Sequence, residues 1–194
     1  MTLRYLFLFL FLLFQANVTA QALNIQPPDL VETQIPNPPT LADKRFGTTL
    51  ALSGSTLAIS ANVDDTSRTG SVYIYDEKGS WQLTAELNSQ HKTDNFAGRI
   101  ILVDNRLIVS ADHDDSLGKD SGAVYVFERN ITASPRLWQQ RAKITASDGQ
   151  TGDRFGQGIA LVEDKLYIGA PFHNQGKVYI YSLKTGSNEW QFLN

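Results

Sequence analysis

Residues 44–61 read KRFGTTLALSGSTLAISA, residues 94–111 read DNFAGRIILVDNRLIVSA, and residues 153–170 read DRFGQGIALVEDKLYIGA. Each stretch is followed, across a polar loop, by GSVYIY from Gly70, GAVYVF from Gly122 or GKVYIY from Gly176, and then by Trp81, Trp138 or Trp190. Aligned on Phe46, Phe96 and Phe155, the periods are 50 and 59 residues. A repeat of this size means one supersecondary unit per period, which must stack on its neighbours to bury its apolar faces.

Within the first unit, Thr48 to Leu52, Thr56 to Ala61, Ser71 to Tyr75 and Trp81 to Leu87 are short runs rich in β-branched and aromatic residues. Glycine, serine, aspartate and asparagine bound them, which predicts strands. Ser53-Gly54-Ser55, Asp104-Asn105-Arg106 and Glu163-Asp164-Lys165 predict tight hairpins between the first two strands of each unit. No segment beyond the N-terminal region holds a 3.6-residue apolar period, so helix content is expected to be near zero. In the third strands, Val72, Ile74, Val124, Val126, Val178 and Ile180 alternate with Tyr73, Tyr75, Tyr125, Phe127, Tyr179 and Tyr181. Both faces are apolar, as in a sheet sandwiched between two others. The expectation is an all-β chain of three four-stranded antiparallel repeats of the β-propeller-blade type, at about residues 41–90, 91–145 and 146–194. The three tryptophans are read as packing residues between blades.

These residues resemble the FG-GAP repeat, the blade unit of the integrin alpha-chain propeller, which also occurs in bacterial exported proteins. The resemblance rests on Phe46-Gly47, Phe155-Gly156, Gly169-Ala170-Pro171 and the Gly-x-Val-Tyr strands at Gly70, Gly122 and Gly176. It covers roughly residues 41–194. The middle unit departs with Phe96-Ala97-Gly98, and Ser60-Ala61-Asn62 and Ser110-Ala111-Asp112 stand where the family has Gly-Ala-Pro. The resemblance implies a binding or adhesion module. It would also imply calcium, held in an aspartate-rich loop within the first hairpin. That hairpin has shrunk to about three residues in every unit, too short for the several oxygen ligands calcium needs. No cofactor and no metal site is assigned.

The 194 residues carry 17 basic and 20 acidic side chains, a formal charge of -3, which argues against a nucleic-acid partner. Arg4 followed by the ten-residue apolar run Tyr5 to Phe14, with Val18-Thr19-Ala20 beyond it, reads as a secretory signal over residues 1–20, cleaved after Ala20 or Ala22. The run is too short to span about 30 Å of hydrocarbon, so no stable membrane span is expected. Residues 21–40 hold five of the seven prolines and read as an extended linker. The absence of cysteine excludes disulfides, thiol nucleophiles and thiolate metal sites. The expected location is secreted, periplasmic or at the cell surface.

Loops carry function more often than scaffold strands. The loops after each second strand are the most polar and the most different between units. Asp64, Asp65 and Arg68 lie in the first, Asp112, His113, Asp114 and Asp115 in the second, and His173 and Asn174 in the third. These are the candidate ligand-binding residues. The Asp112–Asp115 cluster reads either as a hard-cation or acidic recognition site or as a solvated turn whose aspartates bond their own backbone. His113 and His173 occupy corresponding loops and could face one another. No nucleophile elbow, phosphate loop or metalloprotease motif is present, so no catalytic residue is assigned.

The expected function is a non-enzymatic exported module recognising a protein or glycan. The alternative is an accessory region or fragment of an exported hydrolase whose catalytic part lies elsewhere. Three blades fall short of the roughly four to eight that close a propeller. Three resolutions are open: a fragment of a longer propeller, a six-bladed ring of two copies that self-associate through the exposed blade edges, or an arc with frayed ends. Leu30 to Ile35 precedes Phe46 much as Leu83 to Leu87 precedes Phe96, and offers a spare fourth strand.

Overall fold

A computed structural model describes residues 34–38, 45–62, 70–89, 94–132, 137–184 and 190–193. The signal segment, most of the linker, and Asp64, Asp65 and Arg68 lie outside the described residues. Among those described there are twelve strands and no helix, all within the compact unit Ile35–Asn194.

The strands form three four-stranded antiparallel sheets. The first is β1 (Arg45–Ser53), β2 (Thr56–Asn62), β3 (Ser71–Glu77) and β4 (Trp81–Asn88). The second is β5 (Phe96–Val103), β6 (Arg106–Ala111), β7 (Ala123–Asn130) and β8 (Leu137–Ile144). The third is β9 (Gly158–Val162), β10 (Lys165–Ala170), β11 (Lys177–Leu183) and β12 (Trp190–Phe192). In each sheet the order in space is the order in sequence, as in a propeller blade. The first strands of successive sheets lie beside one another.

The hairpins are one residue tighter than the sequence predicts. Ser53 pairs with Thr56, Val103 with Arg106 and Val162 with Lys165, leaving two-residue turns. Gly54, Asp104 and Glu163 each open their turn with φ between +52° and +56°, the backbone that primed hairpin turns require.

The anchoring phenylalanine has the same task in every sheet. Phe46 meets Tyr73 and Tyr75 edge-to-face at 5.9 and 6.3 Å, Phe96 meets Tyr125 and Phe127 at 5.6 and 6.2 Å, and Phe155 meets Tyr179 and Tyr181 at 5.2 and 6.3 Å. The residue after it takes a positive φ: 89° at Gly47, 68° at Ala97 and 96° at Gly156. The family's Phe-Gly pair is therefore a backbone requirement, and Ala97 adopts the glycine conformation in the middle sheet. In β1 and β5 the register then slips between Phe46 and Leu50 and between Phe96 and Ile100.

The sheets stack aliphatic face on aromatic face. Ala58, Val72 and Ile74 of the first form one core with Phe96, Tyr125 and Phe127 of the second. Ile108, Val124 and Val126 of the second form another with Phe155, Tyr179 and Tyr181 of the third. The aromatic face of the first sheet, with Tyr73 and Tyr75, packs against Ile35, and the Tyr75 hydroxyl donates to Pro36 O at 2.8 Å. Ile35, Ala85 and Ile144 each stand eleven residues before an anchoring phenylalanine and pack in corresponding cores. Ile35 thus sits where the end of a preceding blade's fourth strand would sit, although Gln34–Pro38 is not itself paired as a strand, and Leu30 to Thr33 lie outside the described residues.

The far face of the third sheet is different. Val178 is 61% exposed, whereas the corresponding Val72 and Val124 are fully buried. Val162 on the same face is 59% exposed. Strand β12 has three residues against eight in β4 and β8. It pairs only with Tyr181–Leu183, so Lys177–Tyr179 are paired on one side among the described residues.

Candidate functional site

The β6–β7 loop, Asp112–Gly122, is built from inside. Burial alone would push the Asp114 carboxyl up, but hydrogen bonds from Lys143, Ser116 and Tyr125 outweigh it and hold it below the usual range. The Tyr125 hydroxyl donates to Asp114 Oδ2 at 2.8 Å, Lys143 Nζ lies 2.7 Å from the same oxygen, and Ser116 N donates to Oδ1 at 3.0 Å. Burial, with Asp114 beside it, pushes the Tyr125 hydroxyl up to about 12 despite the opposing Lys143. Asp114 is only 1% exposed and serves to fold its own loop. Asp115 is exposed and accepts from Asp120 N at 2.8 Å.

The same loop is laced to the chain entering the third sheet. Gly152 N donates to Lys119 O, Arg154 N to Asp120 O and Phe155 N to Ser121 O, at 2.8, 3.1 and 3.0 Å. Asp112 is 5% exposed and accepts from Asn95 Nδ2. His113 is one-third exposed, with Asp112 Oδ2 at 3.9 Å and Asp120 Oδ1 at 3.8 Å. Asp112 and His113 line a cleft of about 320 Å³ between the second and third sheets, together with Asn95, Arg99, Arg154 and Gln157.

His173 has other partners. It corresponds in the repeat to Asp114 rather than to His113, and it is 6% exposed. Its Nδ1 lies 2.7 Å from Asp153 Oδ2 and its Nε2 lies 3.6 Å from Asp148 Oδ2. Lys177 and the Tyr179 hydroxyl both donate to Asp148, at 2.6 Å each, and hold its carboxyl down at about 2. Burial and Asp148 push the Tyr179 hydroxyl far up in turn. This cluster joins the blade connector to the third sheet. Asn174 beside it is exposed and takes φ +53°, a turn conformation. Among the described residues no three histidine, aspartate or glutamate side chains converge to hold a metal ion. The structure brings Asp112 and His113 into one cleft, and places His173 and Asn174 on the next loop with different neighbours.

Sequence reasoning followed carboxylates and histidines and missed Arg99, Arg154, Asn95 and Gln157. The one available signal was their position: each lies within three residues of an anchoring phenylalanine, where the chain turns into a first strand.

The family model for the FG-GAP repeat matches residues 40–75 and 138–181. No curated protein matches the chain. The matched stretches cover the first three strands of the first sheet, the fourth strand of the second and the first three strands of the third. The first three strands of the middle unit, whose Ala97 replaces the expected glycine, lie between them yet build the same sheet around the same phenylalanine. Repeat spacing, blade topology and family match agree: the chain carries FG-GAP repeats, built as propeller-type blades.

Proposed function

We propose that this chain is an exported, non-enzymatic binding or adhesion module that recognises a protein or glycan through the loops between the second and third strands of its blades. One observation carries this reading: the β6–β7 loop is held by a buried network, and it presents Asp112 and His113 to an open polar cleft. A loop stiffened from within can bind without a large ordering cost. The enzymatic alternative gains nothing from His173, because both of its ring nitrogens face carboxylates and a hydrolytic pair needs a nucleophile within reach. Export rests on the N-terminal signal pattern, and among the described residues no helix is long and apolar enough to cross a membrane. A glycan and extracellular-matrix protein array probed with the expressed protein tests the reading. Binding to no ligand of either kind would sink it.

A second copy of the chain is part of this reading. Both interfaces inside the chain join an aliphatic face to an aromatic one, and the aliphatic face of the third sheet is left bare, with a half-paired edge beside it. A matching blade face continues that same stacking pattern. Light scattering on the expressed protein decides: a monomer at tens of micromolar would exclude a ring of two copies.

A further inference from the structure

Five of the described arginines, those from Arg99 to Arg154, divide by partner. Arg106 and Arg141 face Glu128, and Arg129 is held by Asp76. Arg99 and Arg154 have no carboxylate among the described residues. The guanidinium of Arg99 donates only to the neighbouring Gly98 O, at 2.8 Å, and that of Arg154 lies over the Phe172 ring at 5.2 Å. Both line the cleft between the second and third sheets.

Their backbones are fixed. Arg99 N donates to Ser110 Oγ at 2.8 Å, and Arg154 N donates to Asp120 O. Arg154 also takes φ +53°. The corresponding Asn95 has φ +51°, so the turn itself demands a left-handed residue. Asparagine tolerates that conformation readily and arginine does not. A long cation therefore occupies a strained position that opens onto a cleft, and strain of this kind gathers at functional sites. Two guanidiniums line this cleft with one carboxylate, Asp112, so it is locally positive on a chain of net charge -3.

We propose that this cleft binds an acidic sugar, its carboxylate held by Arg99 and Arg154 and its hydroxyls by Asn95, Gln157 and His113. The proposal rests on the binding-module reading and names its ligand class. Guanidinium groups match carboxylate geometry. The rest of the lining is amide, hydroxyl and imidazole, with no apolar side chain. That composition suits the hydroxyls of a sugar ring. A protein ligand would need an apolar or aromatic anchor pocket, which the cleft lacks.

The test is calorimetric titration of the expressed full chain with a galacturonate oligosaccharide and with its methyl ester, which is the same sugar without the charge. Free-acid binding should exceed ester binding by about ten- to hundredfold, the worth of a charge-assisted hydrogen bond. Arg99→Gln and Arg154→Gln should each weaken the free acid by a similar factor and leave the ester unchanged. Arg99 is exposed and contacts only Gly98 O, so its variant keeps the test open should Arg154→Gln fold poorly. Equal affinity for acid and ester, or indifference to both arginine variants, overturns the acidic-sugar site. Preference for aspartate-bearing peptides over the uronate overturns it in favour of a protein ligand. In each of those cases array binding to other ligands leaves the module reading standing, whereas silence on every array removes that reading itself.

Discussion

The three Gly-x-Val-Tyr glycines look alike in sequence but differ in what surrounds them, and they should respond differently to alanine. At Gly70 a methyl would meet the Phe96 backbone, the carbonyl carbon at 2.9 Å and the oxygen closer still. At Gly122 it would meet Phe155, again with the carbonyl carbon at 2.8 Å and the oxygen nearer. In both cases the obstacle is the main chain of the next sheet, so the two sheets must part. Overpacking of this kind costs about 3 kcal/mol. Gly122 carries φ +86° in addition, which adds about 1–2 kcal/mol for an L-residue. At Gly176 the nearest atom is Pro171 O at 3.5 Å, an ordinary contact, so only the cost of φ +95° remains. The expected order of loss is Gly122→Ala above Gly70→Ala above Gly176→Ala. The corresponding falls in melting temperature are about 10 °C or more, about 6–12 °C and about 2–8 °C for a chain of this size. Thermal unfolding followed by circular dichroism at 218 nm reads the series. In samples that light scattering shows to be monomeric, Gly176→Ala costing as much as Gly122→Ala would refute the reasoning, because no neighbouring main chain crowds Gly176 there.

The Asp76–Arg129 pair ties the first sheet to the second, with Arg129 Nη1 2.9 Å from Asp76 Oδ1 and both side chains under one-tenth exposed. Asp76→Asn should cost about 3 kcal/mol by leaving the Arg129 charge buried, while the double change to Leu and Met should cost much less, as urea titration would show. Burial alone would raise the Asp76 carboxyl, but Arg129 and Thr56 outweigh it and hold it below its ordinary value. Its contribution is therefore full above the normal carboxylate range and lost as pH falls through the lowered value. The gap between wild type and Asp76→Asn should be constant above about pH 5 and close in stronger acid; a gap that widened there would refute the assignment. His173→Ala leaves the buried Asp153 without its imidazole. It should cost about 1–3 kcal/mol by the same titration, and an unchanged midpoint would show that the contact carries nothing. If a second copy covers the third sheet, Val178→Lys should shift light-scattering mass towards the monomer, and no shift would clear that face.

The strands and their faces were legible because a blade encodes them locally. The alternation of Val72 and Ile74 with Tyr73 and Tyr75 names two buried faces, and the recurring phenylalanine marks where each first strand begins. The cleft was not legible, because its parts come from different sheets. His113 and Arg154 are forty-one residues apart in sequence, and they share a cleft only because the β6–β7 loop hydrogen-bonds along the connector to the third sheet. Ala97 was hidden for another reason. Its φ of 68° is imposed by the turn, and the letter alanine gives no sign of it.

The distinction bears on how the third sheet should be understood. Its unit carries the most faithful family motif, Phe155-Gly156 with Gly169-Ala170-Pro171, yet it is the one whose far face is bare. Gly176 is no evidence for a missing neighbour, since φ +95° demands glycine whether or not a blade abuts it. Gly70 shows the opposite case, where φ makes no demand and the next sheet alone excludes a side chain. Val178 and Val162 are the informative residues. No backbone requirement puts valine on an open face, and the same alternation that buries Val72 and Val124 leaves these two about 60% exposed. Motif residues report what one blade needs in order to fold. Surface valines at blade-facing positions report an unfilled stacking surface, the one that the proposed second copy would cover.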